Sequence, residues 1–273
     1  MHAATSASSL KNDRDSAEIA PNGHEDMTNT LHTDHVRTVL DQLFAAASHD
    51  DEAPQWTKPG ASWESATTQE RSDALQAAYL PISAQSGELL YILVRASRPT
   101  TVVEFGTSYG ISTLYLAAAV ADNGRGRVVT TELNSAKVNA ARANLIEARL
   151  SDHVAILSGD AMTTLNEVRG PVDLVLLDGW KDLCLPVLRS LESRLSAGAL
   201  IVADDVTLPS MSSYLEYIRD PANGYVTIAF PVDDGMEISC WTGGSIERKV
   251  IMSKTWLIRR GRTTEIKVSR SAD

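Results

Sequence analysis

The sequence predicts an α/β fold, a doubly wound and mostly parallel seven-stranded sheet with a C-terminal antiparallel hairpin and an N-terminal helical extension. Three observations predict it. From Thr100 onward, short apolar runs alternate regularly with helix-period patterns, as in successive βα units. The runs Val172-Asp-Leu-Val-Leu-Leu177 and Ala199-Leu-Ile-Val202 are apolar nearly throughout, as in strands covered on both faces. Two further runs near the end are separated by Pro231-Val-Asp-Asp-Gly235, which reads as a hairpin turn.

Taken in order, residues 1–30 are rich in Ala, Ser, Asn and Asp and lack an apolar signal core, so they are expected to be a disordered tail. Residues 31–99 form the helical extension, a lid or dimer surface. Within it, Val36, Val39, Leu40, Leu43 and Phe44 recur at helical spacing and place a helix at 34–47. Breakers follow at Asp50-Asp-Glu-Ala-Pro54 and Lys58-Pro-Gly60. Thr67 or Thr68 caps a helix running to about Tyr79, and Ser83 caps one that ends before Pro99. The core, 100–245, has parallel strands at 101–105, 127–132, 153–157, 172–177 and 199–203. Its helices fall at 110–121, 134–149, 161–168, 182–195 and 208–219, and the hairpin strands at 225–230 and 236–241. Residues 246–273 are a basic extension with room for a strand at Thr255 to Arg259.

The 273 residues carry a net charge of −10, which argues against a general nucleic-acid binder, because phosphate recognition needs a basic footprint. The two cysteines, Cys184 and Cys240, suggest no pairing framework, so a reduced, cytoplasmic setting is the expectation. No apolar run approaches the roughly 18 residues of a membrane span.

Chemistry concentrates at strand ends. In Val102-Val-Glu104-Phe-Gly106-Thr-Ser108-Tyr-Gly110-Ile-Ser112, an apolar run ends in a carboxylate, two glycines bracket a polar turn, and a helix begins. The helix start offers free N–H groups to an anion, and the strand-end acids Glu104 and Glu132 suit a ligand bearing hydroxyl or amine donors. Together they read as a nucleoside-cofactor site. The G-x-x-x-G spacing is not the G-x-G-x-x-G of dinucleotide sites. Gly106-Thr-Ser108-Tyr-Gly110 also matches the hydrolase elbow G-x-S-x-G, but the only histidine after it is His153. Asp178, in Asp178-Gly-Trp180-Lys181-Asp182, and the pair Asp204-Asp205 end two strands expected to be neighbours. Three carboxylates at one point need a cation, and such oxygen ligands suit Mg²⁺ or a similar hard ion. The plainer reading makes Asp204 and Asp205 helix caps or solvent-facing groups. The pair His32 and His35, in a polar segment, is read as solvated.

From about Pro81 to Val206 these motifs resemble the class I S-adenosylmethionine-dependent O-methyltransferases, closest to the metal-dependent catechol and caffeoyl-CoA type. The resemblance implies a Rossmann-like core and direct methyl transfer to a small phenolic, catechol-like or natural-product acceptor. It implies that Glu104, Gly106 and Ser112 hold the methionine end of the cofactor, Glu132 the ribose, and Asp160 and Ala161, in Gly159-Asp-Ala161, the adenine. Asp178, Asp204 and Asp205 would bind the divalent cation, Asp178 also adjoining the cofactor, and Lys181 would be the base. Asp205 stands where the family has asparagine, and the family's further acidic residue on the late strands has no secure counterpart. Members often pair, so a homodimer is expected. Three other readings remain open: a metal-independent N- or O-methyltransferase of a non-aromatic natural product, an NAD-dependent oxidoreductase using Glu132 on the ribose, and a non-catalytic module that retains the pocket.

Overall fold

In the computed structural model, which describes residues 29–50 and 63–243, the alternation closes into one sheet. Its strands are β1 (Thr101–Phe105), β2 (Arg127–Glu132), β3 (Val154–Ser158), β4 (Val172–Leu177), β5 (Leu195–Ala203), β6 (Tyr225–Phe230) and β7 (Met236–Trp241), in the order β3-β2-β1-β4-β5-β7-β6. The first five are mutually parallel, and β7 runs antiparallel between β5 and β6. Chain order reverses between β1 and β4, and a crevice opens at that switch point beyond the carboxyl ends of the strands.

Strand periodicity divides the sheet's interior into two cores. Val102, Leu174, Leu176 and Val202 pack on one face, while Val103, Phe105, Val175, Leu177, Ile201 and Ala203 pack on the other. Each fully buried aliphatic side chain of this kind stabilises the fold by roughly 1.5–3 kcal/mol. The first face is covered by α1 (Asp34–Ala47), α3 (Ala84–Ser97), α4 (Ile111–Asp122) and α5 (Ser135–Glu147). Helix α4 is apolar on every side because it lies between the sheet and α3, and its residues from Ile111 to Val120 are all buried. The second face is covered by α6 (Ala161–Thr164), α7 (Cys184–Leu191) and α8 (Ser212–Arg219).

Helix α2 (Thr68–Ala74) begins with the expected cap, Thr67 and Glu70 forming a reciprocal capping box. It stops short of Tyr79. Asp50 accepts the backbone N–H groups of Tyr79 (2.8 Å) and Leu80 (2.7 Å), and the Tyr109 hydroxyl donates to the Gln76 carbonyl, so this stretch bonds outward rather than along a helix. Ser83 caps α3 as expected, and α3 ends at Arg98 in a left-handed conformation (φ 51°) before Pro99. Helices α6, α7 and α8 are shorter than expected because 3₁₀ turns at Leu165–Glu167, Lys181–Leu183 and Pro209–Met211 take up part of each span. Strand β5 starts at Leu195, four residues before the expected 199, where Ser196 ties its start to Asp173. At the other end of the described chain, Thr30 and Tyr91 both donate to Asp122, fixing residues that the sequence assigned to the tail. The remainder of that tail, the breakers after Asp50 and the basic extension lie outside the described residues.

Candidate functional site

The crevice is a cavity of about 970 Å³ lined on one side by the loop after β1 and on the other by the ends of β4 and β5. Gly106 turns at φ +101°, and a Cβ there would lie 2.5 Å from the Asp178 carbonyl oxygen. The glycine therefore lets the β1 and β4 loops touch, in addition to leaving room for a ligand. Gly110, also left-handed, precedes α4, whose N-terminus faces the loop.

Glu104 does not reach the cavity, whereas Ser112 lines it. The Glu104 carboxylate is wholly buried beneath α4 and outside the cavity wall, accepting from Ser112 Oγ (2.6 Å) and Thr113 Oγ1 (2.5 Å). Residues 102 and 104 share a strand face, and α4 covers that face. Ser112 lines the cavity, but its hydroxyl proton is committed to Glu104. Burial pushes Glu104 up to about 7, against the pull of the Ser112 and Thr113 hydroxyls.

Glu132 lies on the wall. Its Oε2 accepts the Ser108 N–H and its Oε1 the Asn134 N–H, both at 2.8 Å. Each oxygen keeps a lone pair, so the fixed carboxylate can accept two more hydrogen bonds from a diol. Asp160 and Ala161 also line the cavity, and Asp160 caps α6 by accepting the Met162 N–H at 2.9 Å.

Opposite, the pairing Leu177↔Ala203 brings Asp178 beside Asp204 and Asp205. One oxygen of each lies within 4.8 Å of the others. Lys181, three residues after Asp178 at the start of a 3₁₀ turn, bridges Asp178 Oδ1 and Asp205 Oδ2 at 2.9 Å each. Asp204 is 5% exposed, and its Oδ1 has no hydrogen-bond partner. Burial and the charges of Asp178 and Asp205 raise Asp204 to about 7. Burial also raises Asp178, opposed by the Lys181 ammonium. For Lys181 burial acts downward, but the Asp178 and Asp205 carboxylates outweigh it and hold the ammonium above the usual lysine range. One cation among three carboxylates leaves the cluster under-neutralised. The donor set is all oxygen, converging and partly unpartnered, and so it fits a hard divalent cation.

The roof is formed by residues far upstream that no motif marks. Arg71 makes a two-point ion pair with Asp182 (3.1 and 3.0 Å) and lies over the Trp180 ring, which Trp63 meets edge-on at 5.9 Å. Tyr79 stacks on Tyr109 with centroids 4.0 Å apart. Ser108 Oγ donates to the Tyr79 carbonyl. The elbow reading of Ser108 fails on topology, since His153 precedes β3 and lies at the opposite edge of a parallel sheet. Tyr214 is buried in the second core, and Tyr217 and Trp241 pack against that core rather than on the cavity wall. His32 and His35 are exposed, and the aspartate trio is the one metal-competent cluster among the described residues.

Residues 103–206 match a family model described as a methyltransferase domain. A catechol O-methyltransferase of Mycobacterium tuberculosis is 36% identical over 136 residues, covering 50% of this chain and 61% of the relative. Catechol O-methyltransferase B of Danio rerio is 31% identical, covering 58% and 64%. The chain thus spans less than two thirds of the length of these curated relatives. Among solved structures, the cofactor-bound Rv0187 protein of MTB superposes with a TM-score of 0.57 at 25% identity, covering 74% of this chain and 90% of that one. An O-methyltransferase from Bacillus cereus, solved in complex with SAH, shares the fold at 21% identity and a TM-score of 0.55, covering 73% and 99%. Sheet order, strand-end acids and sequence likeness agree: residues 103–206 match a methyltransferase domain, and the chain is similar over about half its length to catechol O-methyltransferases.

Proposed function

We propose that the chain is an S-adenosylmethionine-dependent O-methyltransferase that methylates a hydroxyl of a small phenolic or catechol-like acceptor with help from a divalent cation. The observation that carries the reading is a single cavity with Glu132 on one wall and the Asp178, Asp204 and Asp205 cluster on the other. Glu132 would accept from the ribose hydroxyls, Gly106 would lie along the cofactor, and Asp160 with Ala161 would border the adenine. Glu104 would act from beneath by fixing the first turn of α4, and Asp178 would adjoin both cofactor and cation. When bound, the cofactor supplies an electrophilic methyl group, and the cation neutralises the carboxylates and acidifies an acceptor hydroxyl. Asp178, Asp204 and Asp205 would hold the cation, Asp204 Oδ1 offering an oxygen that the protein leaves unused. With part of the carboxylate charge neutralised, Lys181 would release its own proton to solvent more readily, and as a neutral amine would take the acceptor's hydroxyl proton. Trp63, Trp180 and Leu208 would hold a flat acceptor in line with the methyl group, and this orientation supplies much of the rate.

The two cysteines, both free, suit a reducing cytoplasmic setting. Homodimerisation also belongs to the proposal, supported by the exposed apolar row Val226, Ile228 and Phe230 on β6. Methylation of a catechol panel, assayed with Mg²⁺ and then with excess chelator, tests the reading. Turnover that the chelator abolishes and Mg²⁺ restores supports it. Turnover indifferent to the chelator favours the metal-independent alternative.

A further inference from the structure

Lys137 is a buried cation facing the cavity with most of its donors unused. It lies in the first turn of α5, is 5% exposed and lines the same hollow as Glu132 and Ser108. Its ammonium has three N–H donors, of which one reaches Ser108 Oγ at 3.1 Å, while the group sits 5.6 Å from the Tyr109 ring centre. Ser108 is also the residue whose N–H holds Glu132 Oε2, so one loop residue touches both the acid and the amine. Burial lowers the Lys137 pKa, against the attraction of Glu132 and Asp50. A buried ammonium with so few partners is costly unless a ligand atom completes its shell.

We propose that Lys137 is a second ribose anchor, donating to the oxygen of a sugar hydroxyl while Glu132 accepts the hydroxyl protons. A ribose hydroxyl is both donor and acceptor. A carboxylate beside an ammonium therefore satisfies a diol from both sides, which a carboxylate alone does not. The proposal rests on the nucleoside-cofactor reading above and adds a specificity for the intact sugar.

The test is calorimetric titration of the full chain with S-adenosylhomocysteine and with its 2′-deoxy and 3′-deoxy forms, for the wild type, Lys137→Met and Lys137→Arg. Lys137→Met is expected to weaken S-adenosylhomocysteine about tenfold, the scale of one charge-assisted hydrogen bond. It should weaken at least one deoxy form much less, and Lys137→Arg should restore part of the loss. Equal loss for all three ligands, or unchanged affinity for S-adenosylhomocysteine, overturns the proposal and leaves Lys137 as a strut between α5 and the loop. If Lys137→Met does not fold, NMR of isotope-labelled lysine in the wild type decides. A Lys137 side-chain signal that shifts with S-adenosylhomocysteine, and less with a deoxy form, supports the assignment, and an unmoved signal refutes it. Should the wild type fail to bind S-adenosylhomocysteine at all, the cofactor reading itself fails, and that outcome is distinct from the others.

Discussion

The two walls of the cavity differ in how far the chain satisfies its own polar groups. On the β1–β2 side every carboxylate has partners: Glu132, on the wall, accepts from two backbone amides, and Glu104, buried behind it, from two hydroxyls. On the β4–β5 wall one lysine bridges two of three carboxylates, Asp178 and Asp205, and Oδ1 of the third, Asp204, has no hydrogen-bond partner. The first wall is pre-organised for a neutral, hydroxyl-rich group. The second is left electrostatically incomplete, which a proton or, on the proposed reading, a bound cation would relieve. On the proposed reading, such a site would bind its nucleoside through rigidity and its cation through unmet charge.

Removing groups from the incomplete wall should have the largest effect. Asp178→Ala takes away a cation ligand and one of the two carboxylates that Lys181 bridges, so kcat in the methyl-transfer assay should fall by at least about a hundredfold, with its cation dependence lost. A variant retaining cation-dependent turnover would place the reacting centre elsewhere. On the complete wall the expected effect is smaller and confined to binding. Glu132→Ala should weaken S-adenosylhomocysteine by about thirtyfold, roughly 2 kcal/mol, since it deletes two hydrogen bonds to a charged acceptor. Affinity within a few-fold of wild type would break the contrast.

The smallest effect is on stability, and it distinguishes the walls by pH. Asp204 is held near 7 in the folded protein, well above an ordinary aspartate. The folded state therefore binds more protons than the unfolded state between about pH 4 and 7, and the cation-free protein loses stability as pH rises through that window. Glu104, also raised to about 7, acts with the same sign. Asp204→Asn should flatten this slope in thermal melts at successive pH values, leaving the part due to Glu104. An unchanged slope would mean that Asp204 does not bear the strain.

The parts of this arrangement that were legible in the sequence are those written in short-range pattern. Apolar runs fixed the strands, and the acids at their ends fell at the carboxyl edge because parallel strands leave no other choice. Pattern also held the clue to Glu104, since a period of two puts it on the face of Val102, beneath the helix that follows, yet its place at the strand end pointed to a ligand. The early start of β5 was hidden because Leu195 to Gly198 are half-exposed and do not read as a buried run. The roof was hidden for another reason. Arg71 looks like an ordinary polar helix residue until the fold brings Asp182 and Trp180 beneath it, over a hundred positions away. Lys137 is similar, a cation in an unremarkable helical turn whose burial depends on Ser108 and Tyr109.

The central claim is that a nucleoside bearing a sulfonium centre lies across the β1 and β2 loops and faces the aspartates. Calorimetric titration with S-adenosylhomocysteine, and in parallel with NAD, tests it most directly. One equivalent of S-adenosylhomocysteine binding per chain, with no heat from NAD, is the predicted result. Binding of NAD instead, or of neither, would contradict it.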